Sequence, residues 1–145
     1  MLDLIIGAHI ATAHFPDRDH MTGNTPGIYA RTPAGWTAGI YRNSFERTSA
    51  YAGRQFDKPL GQFVASITAG VVSGYEYRTE RVACERIREH RKGRTCWLTT
   101  GSAEHQLAPM LVPSITYRHV RLNYIPAWGR PGGSDAVNLS VETRW

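Results

Sequence analysis

Apolar and polar residues alternate at every second position along most of this chain, the spacing of half-buried strands. The first run covers about Leu4–His14, with Ile6, Ala8, Ile10 and Thr12 sharing a face. A polar loop, "PDRDHMTGNTPG", leads to a second strand at about Ile28–Thr32, and Pro33-Ala34-Gly35 turns the chain tightly. The third strand, about Trp36–Asn43, sets Trp36, Ala38 and Ile40 against Thr37, Gly39 and Tyr41. After "SFER" comes a fourth strand, about Ser49–Phe56, and then "DKPLG". The fifth runs through "QFVASITAGVVSGYEYR", where Phe63, Ala65, Ile67, Ala69 and Val71 are expected to face inward and Ser66, Thr68 and Gly70 outward.

Two more strand-like runs follow in "APMLVPSITY" and "HVRLNYIPA"; Pro109 and Pro113 confine the former to an edge or a bulge. The last strand alternates Val137, Leu139 and Val141 with Asn138, Ser140 and Glu142. Short connections make successive strands antiparallel neighbours. The fold class expected is all-β: an antiparallel up-and-down meander of about eight strands, closing into a small barrel or a curled sandwich, in one domain. Gly-Ile-Tyr occurs at Gly27 and again at Gly39, and Tyr-Ala-Gly at Tyr51. Glycine in a strand permits close approach, and tyrosine supplies a broad ring with a polar tip.

One segment breaks the rhythm. About Thr79–Gln106 reads as a helix-containing insertion, with Ala83, Ile87 and His90 on one stripe and Arg81, Glu85 and Arg88 on another. Gly93 marks a helix stop, and "TCWLTT" a short strand.

Composition narrows this picture only slightly. The formal charge is +5, and seven Lys or Arg against three Glu lie between Arg78 and Arg94. The two cysteines, Cys84 and Cys96, make neither a disulfide framework nor a zinc site, and leave a single bridge or two thiols open. No apolar run of about 18 residues exists for a transmembrane helix. "MLDLIIGAHIATAHF" lacks the basic start of a secretory leader, although a leader removed upstream would place the protein in the periplasm.

The blocks "NTPGIYARTPAGWTAGIYRNSFERTSAYAG", "LAPMLVPSI", "RLNYIPA" and "VNLSVETRW" resemble a group of small proteins of unknown function encoded by tailed phages and prophages. The resemblance spans roughly two thirds of the chain. It implies a β-rich fold and a viral accessory origin, and transfers no catalytic residue.

The leading expectation is a phage-encoded accessory protein, host-directed or virion-associated, that binds a macromolecule and performs no catalysis. Its contact surface would be the basic stretch, with Arg81, Arg86, Arg88, Arg91, Lys92, Arg94 and Trp97, helped by the loop at Asp17–Asn24. Arginine suits bidentate contacts, while Glu80, Glu85 and Glu89 would repel phosphates; an acidic protein partner therefore ranks ahead of nucleic acid. The expected location is host cytoplasm or virion, and an unclosed edge strand would favour a homo-oligomer.

A second expectation puts a small-ligand site inside the barrel, lined by Tyr29, Tyr41, Tyr51 and Asn43, with Glu142 nearby. Ser44 would need a base and an oxyanion donor to act as a nucleophile, and turn formation is the plainer role. His9 and His14, five residues apart on a strand, point to opposite faces unless a bulge intervenes. Asp17, Asp19 and His20 suit a solvated loop better than a cation site, and no metal or cofactor is expected. A third expectation is a small outer-membrane barrel. Strand segments of about five to nine residues near Gly27–Phe56 fall short of the roughly 9–11 needed, and Arg31, Arg42 and Arg54 lie within them, which argues against a membrane.

Overall fold

The structure is a computed structural model that describes residues 4–15, 21–74, 78–83, 95–100, 107–127 and 134–144. Eight antiparallel strands close into a barrel: β1 (Ile5–Phe15), β2 (Gly27–Arg31), β3 (Trp36–Arg42), β4 (Thr48–Leu60), β5 (Phe63–Val72), β8 (Ala108–Tyr117), β9 (Val120–Ile125) and β10 (Asp135–Arg144). Each strand pairs with its neighbours in sequence, and β10 pairs with β1 to close the ring. The meander is therefore up-and-down, and the sandwich alternative falls away. Between β5 and β8 the chain forms a separate antiparallel pair, β6 (Arg78–Ala83) and β7 (Thr95–Thr100). The "TCWLTT" strand is thus present as β7. Thr79–Ala83, the start of the expected helix-containing insertion, is extended as part of β6. Residues 84–94 and 101–106, where the rest of the expected helix would fall, lie outside the described residues.

The two rims differ. At one, which we call the turn rim, β2–β3, β4–β5 and β8–β9 are joined by tight turns, and β1 starts and β10 ends. Gly35 (φ 87°), Gly61 (φ 63°) and Arg118 (φ 54°) supply the left-handed residues there. All the longer connections leave from the opposite, loop rim. The strands are strongly tilted. A path of paired residues from Ile5 at the turn rim passes through Arg31, Thr37, Gly53 and Gly70 to Met110 near the loop end of β8.

Sidedness corrects the expectation for β5. Ser66 and Thr68 are buried in the lumen, while Phe63, Ile67 and Val71 stand exposed on the outer wall. The same inversion runs round the barrel, with Ile28 63% and Trp36 60% exposed. Among the described residues only Ile5, Tyr29, Val72 and Ala136 are buried hydrophobics, against fifteen buried polar or charged ones. Period-two alternation was legible, but it names two faces without saying which is inside. Arg31, used above against a membrane, points into the lumen; Arg42 ends β3, and Arg54 lies outside between the rings of Trp36 and Phe56 at 5.7 and 5.4 Å.

The Gly-Ile-Tyr repeat now has a cause. Gly27 pairs with Tyr41, and Gly39 pairs with both Tyr29 and Tyr51. A Cβ on Gly39 would sit 2.6 Å from the Tyr51 ring and 2.7 Å from Tyr29 Cβ. The Tyr29 ring lies in the space Gly7 leaves on β1, and the Tyr51 ring in the space Gly39 leaves on β3. A large ring is thereby held flat against the inner wall, and the middle of the lumen stays open.

Candidate functional site in the barrel lumen

The lumen is filled at the turn rim and hollow toward the loop rim. At the filled end, Glu142 accepts from Arg31 (3.2 Å), Arg121 (3.1 Å) and the Tyr29 hydroxyl (2.7 Å). Arg31 also donates to Asp57 at 2.9 Å. Arg121 is 3% exposed and spends its fork on Asn123 (2.7 Å), Ser114 (2.7 Å), Thr68 (3.3 Å) and Gln55, so every lumen strand near it is tied in. Two arginines facing two carboxylates make a desolvated lattice that is neutral in sum. The match is close but not complete, since Arg31 Nε is buried without a hydrogen-bond partner and the Asp57 side chain stays 39% exposed. The lattice seals that end.

Above it lies a ring layer. His9 stacks obliquely on Tyr29 (4.9 Å between centroids), meets Tyr41 edge-on (5.6 Å), and lies 5.9 Å from Tyr51. Asn138 Nδ2 donates to the Ala11 carbonyl and to Thr12 Oγ1, both at 3.1 Å, which fixes the amide so that Oδ1 faces His9 Nδ1 at 3.1 Å. Because that oxygen only accepts, Nδ1 carries the proton and Nε2 accepts from the Tyr51 hydroxyl at 3.1 Å. Ser140 and Asn123 complete the layer through Asn138.

A cavity of about 190 Å³ runs from the loop rim past the rings, and Gln55, Thr68 and Arg121 line its inner part. At its mouth Ser44 Oγ lies 2.7 Å from His14 Nε2, within hydrogen-bond reach. Register explains the meeting. A bulge between His9 and Ala11 shifts the phase of β1, so that His9 and His14 both line the lumen. Ser44 is set by its neighbour. Asn43 Oδ1 accepts from Phe45 N (3.0 Å) and Arg47 N (3.1 Å), and its Nδ2 donates to Ser49 Oγ and the Gly74 carbonyl, both at 3.0 Å. Glu46 takes a positive φ of 61° to close that turn. The segment after residue 20 folds over the site, where Thr22 N donates to the Ser44 carbonyl at 3.0 Å.

Among the described residues the wall beside the cavity is only partly paired. Ladder pairing between β8 and β9 covers Ser114–Tyr117 only, and Ala108–Pro113 pairs with β5 alone. Pro113, opposite Tyr124, has no N–H to continue the ladder. Pro109 and Leu111 point outward, yet they line the same cavity as the inward Met110 and Val112. Ala108–Val112 therefore form one side of the cavity.

Of the residues expected to line an interior site, Tyr29, Tyr41 and Tyr51 do so. Asn43 does not: it is fully buried in the turn beneath Ser44. Arg81 and Trp97 are register partners on β6 and β7, and Arg86, Arg88, Arg91, Lys92 and Arg94 lie outside the described residues, as do Asp17, Asp19 and His20. Sequence reasoning weighed His14 and Ser44 separately and missed His9, Arg121, Asn123, Asn138 and Ser140 as a lumen set. The signal available was the polar half of the last strand, Asn138, Ser140 and Glu142, together with arginines inside strand patterns. No family model matches the sequence, and no curated protein does.

Proposed function

We propose that this protein is a small outer-membrane-type β-barrel that carries out acyl-ester chemistry on a bilayer amphiphile at its loop-rim cavity. The single observation behind it is the Ser44–His14 pair, placed at a lumen cavity inside a barrel whose exterior is apolar.

The exterior favours lipid over water. Ile28, Ile40, Ile67, Leu122 and Val141 are among nineteen large hydrophobics that stand exposed on the described surface. In water each would forgo about 1.5–3 kcal/mol of burial, a loss no globular fold of this size sustains. Strands of 10 to 13 residues in β1, β4, β5, β8 and β10, tilted by about 40°, climb about 25 Å or more, the height of an outer-membrane apolar band. The shorter β2, β3 and β9, with 5, 7 and 6 residues, climb only about 13–18 Å. Trp36, Phe63 and Tyr117 stand at strand ends on the turn rim, where an aromatic girdle belongs. Short turns on one rim and long connections on the other are the periplasmic and external sides of such barrels. The resemblance to phage and prophage proteins then makes the protein a host-surface accessory, and the β6–β7 hairpin, with its basic sequence, becomes an outward contact surface for an acidic partner.

Chemically, His14 Nε2 takes the Ser44 hydroxyl proton as Oγ bonds to the acyl carbon. The ester C–O bond breaks, and the leaving oxygen takes that proton from His14. Water, or an acceptor hydroxyl, then attacks the acyl-serine with His14 again as the base, which restores both residues. The Phe45 and Arg47 amides are committed to Asn43 and do not supply the oxyanion hole.

The test is reconstitution in phospholipid vesicles, with mass spectrometry of released acyl and lysolipid products and labelling by a fluorophosphonate. Wild type should label at Ser44 and turn lipid over. Ser44→Ala should lose both, and His14→Gln should lose about 10²–10⁴-fold in rate. A folded, membrane-inserted barrel that neither labels nor releases product contradicts the proposal.

A further inference from the structure

Two cations stand on the outer wall of β4. Arg54 and Lys58 are exposed and share the outward face with Phe56, since alternate positions of a strand point the same way. Among the described residues the ion pairs take up Arg31, Arg42 and Arg121, and include neither Arg54 nor Lys58. Asp57 lies between them in sequence but turns the other way, to Arg31 and Gln55. An unpaired cation on a lipid face is costly at the bilayer midplane and nearly free among the headgroups. These two therefore call for an anion from outside the chain.

The fold also aims Arg54. It pairs in register with Trp36, the first residue of β3 at the turn rim. Gln55 N donates to the Gly35 carbonyl at 2.8 Å, which straps the β2–β3 turn to β4 at this level. The guanidinium lies over the Trp36 ring at 5.7 Å and the Phe56 ring at 5.4 Å. Ring faces hold a guanidinium without engaging its N–H fork, and that fork matches the geometry of a phosphate. On the β5 side the partner of Arg54 is Ala69 and that of Lys58 is Ala65. These small residues leave a shallow hollow beside each cation. Exposed Ile67 stands between the hollows, and Leu111 and Ile115 border them on β8.

We propose that this face of β4, β5 and β8 binds an anionic phospholipid of the turn-rim leaflet. Its phosphate accepts from the Arg54 fork, Lys58 answers the headgroup's remaining charge, and an acyl chain runs up the apolar wall along Ile67 and Leu111. Free phosphate would meet the cations alone and leave that wall uncovered. The inference rests on the membrane half of the reading above and not on Ser44, so the acyl chemistry can fail without it.

The experiment offers the full-length barrel, in a nonionic detergent, equal amounts of phosphatidylglycerol and phosphatidylcholine with identical acyl chains. Native mass spectrometry reads the lipid retained. One phosphatidylglycerol per barrel is expected, at least about fivefold over phosphatidylcholine, the effect of about one basic residue at an anionic surface. Arg54→Gln should abolish most of that preference, and Arg54→Lys, which keeps the charge without the fork, should retain part of it. Arg42→Gln makes the same charge change at the opposite rim, in a residue already paired with Glu46, and should leave the preference intact. Excess inorganic phosphate should not displace the lipid. Equal retention of both lipids, a preference unmoved by Arg54→Gln, an equal loss in Arg42→Gln, or displacement by phosphate would each overturn the inference alone. A barrel that stays folded and monodisperse without detergent would overturn the membrane reading, and this inference with it.

Discussion

The two halves of the lumen are built from the same kind of residue and behave as opposites. At the turn rim, polar side chains are drawn together by charge, and Arg31, Arg121, Glu142 and Asp57 pair with one another. At the loop rim, polar groups stay near the wall. Asn43 serves a turn, Thr12 and Thr25 bond each other at 2.6 Å, and Ser44 faces His14. The difference lies in what each polar group is spent on. Charges spent on one another make a plug; hydroxyls and amides spent on the wall leave a vessel, with one reactive pair at its lip.

Removing the hub of the plug should have the largest effect. Glu142→Ala leaves Arg31 and Arg121 buried without their shared carboxylate and should cost about 3–5 kcal/mol, read as a lower urea midpoint in micelles. Glu142→Gln, which keeps an acceptor for Tyr29, should cost less. Little change in either variant would mean the plug does not hold the barrel. Next comes the contrast across one strand. Ile67→Lys on the outer wall should cost about 2–4 kcal/mol in bilayers. The penalty should shrink in a detergent that lets the ammonium reach water. The same penalty in aqueous buffer without detergent would remove the membrane from the picture.

Asn43→Ala should cost about 2 kcal/mol and lower Ser44 labelling with it, because the turn amides of Phe45 and Arg47 lose their acceptor. Unchanged labelling would show that Ser44 is placed by something other than this turn. The smallest stability effect belongs to the partly paired stretch of β8. Pro113→Val restores a donor opposite Tyr124 and should gain up to about 1 kcal/mol, read as a higher urea midpoint in micelles. An unchanged or lower midpoint would show that the missing donor is not what leaves this stretch unpaired.

Strand order and closure were legible because period two and short turns leave few topologies. The edge or bulge expected from Pro109 and Pro113 is not found: β8 lies between β5 and β9 in the closed barrel, with Ala108–Pro113 paired to β5 alone among the described residues. Which face is inner was not legible. Apolar-in is the rule for a barrel in water and apolar-out for one in lipid, and Phe63, Ile67 and Val71 fit either until the lumen is seen to hold Ser66, Thr68 and Arg121. The site was hidden for a geometric reason. His14 and Ser44 lie 30 residues apart, and they meet only because a one-residue bulge rephases β1. The Arg78–Ala83 segment shows the opposite error, where helix-forming residues take an extended path beside β7.

The account stands on an inverted wall, and a nitroxide scan along β5 tests it most directly. Labels placed one at a time from Phe63 to Val72, in vesicles and with Cys84 and Cys96 replaced by serine, would be read for collision with oxygen and with a water-soluble nickel chelate. High oxygen and low nickel contact at positions 63, 67 and 71, with neither high at 66 and 68, is the expected result. A reversed phase, or nickel contact along the whole strand, would contradict it.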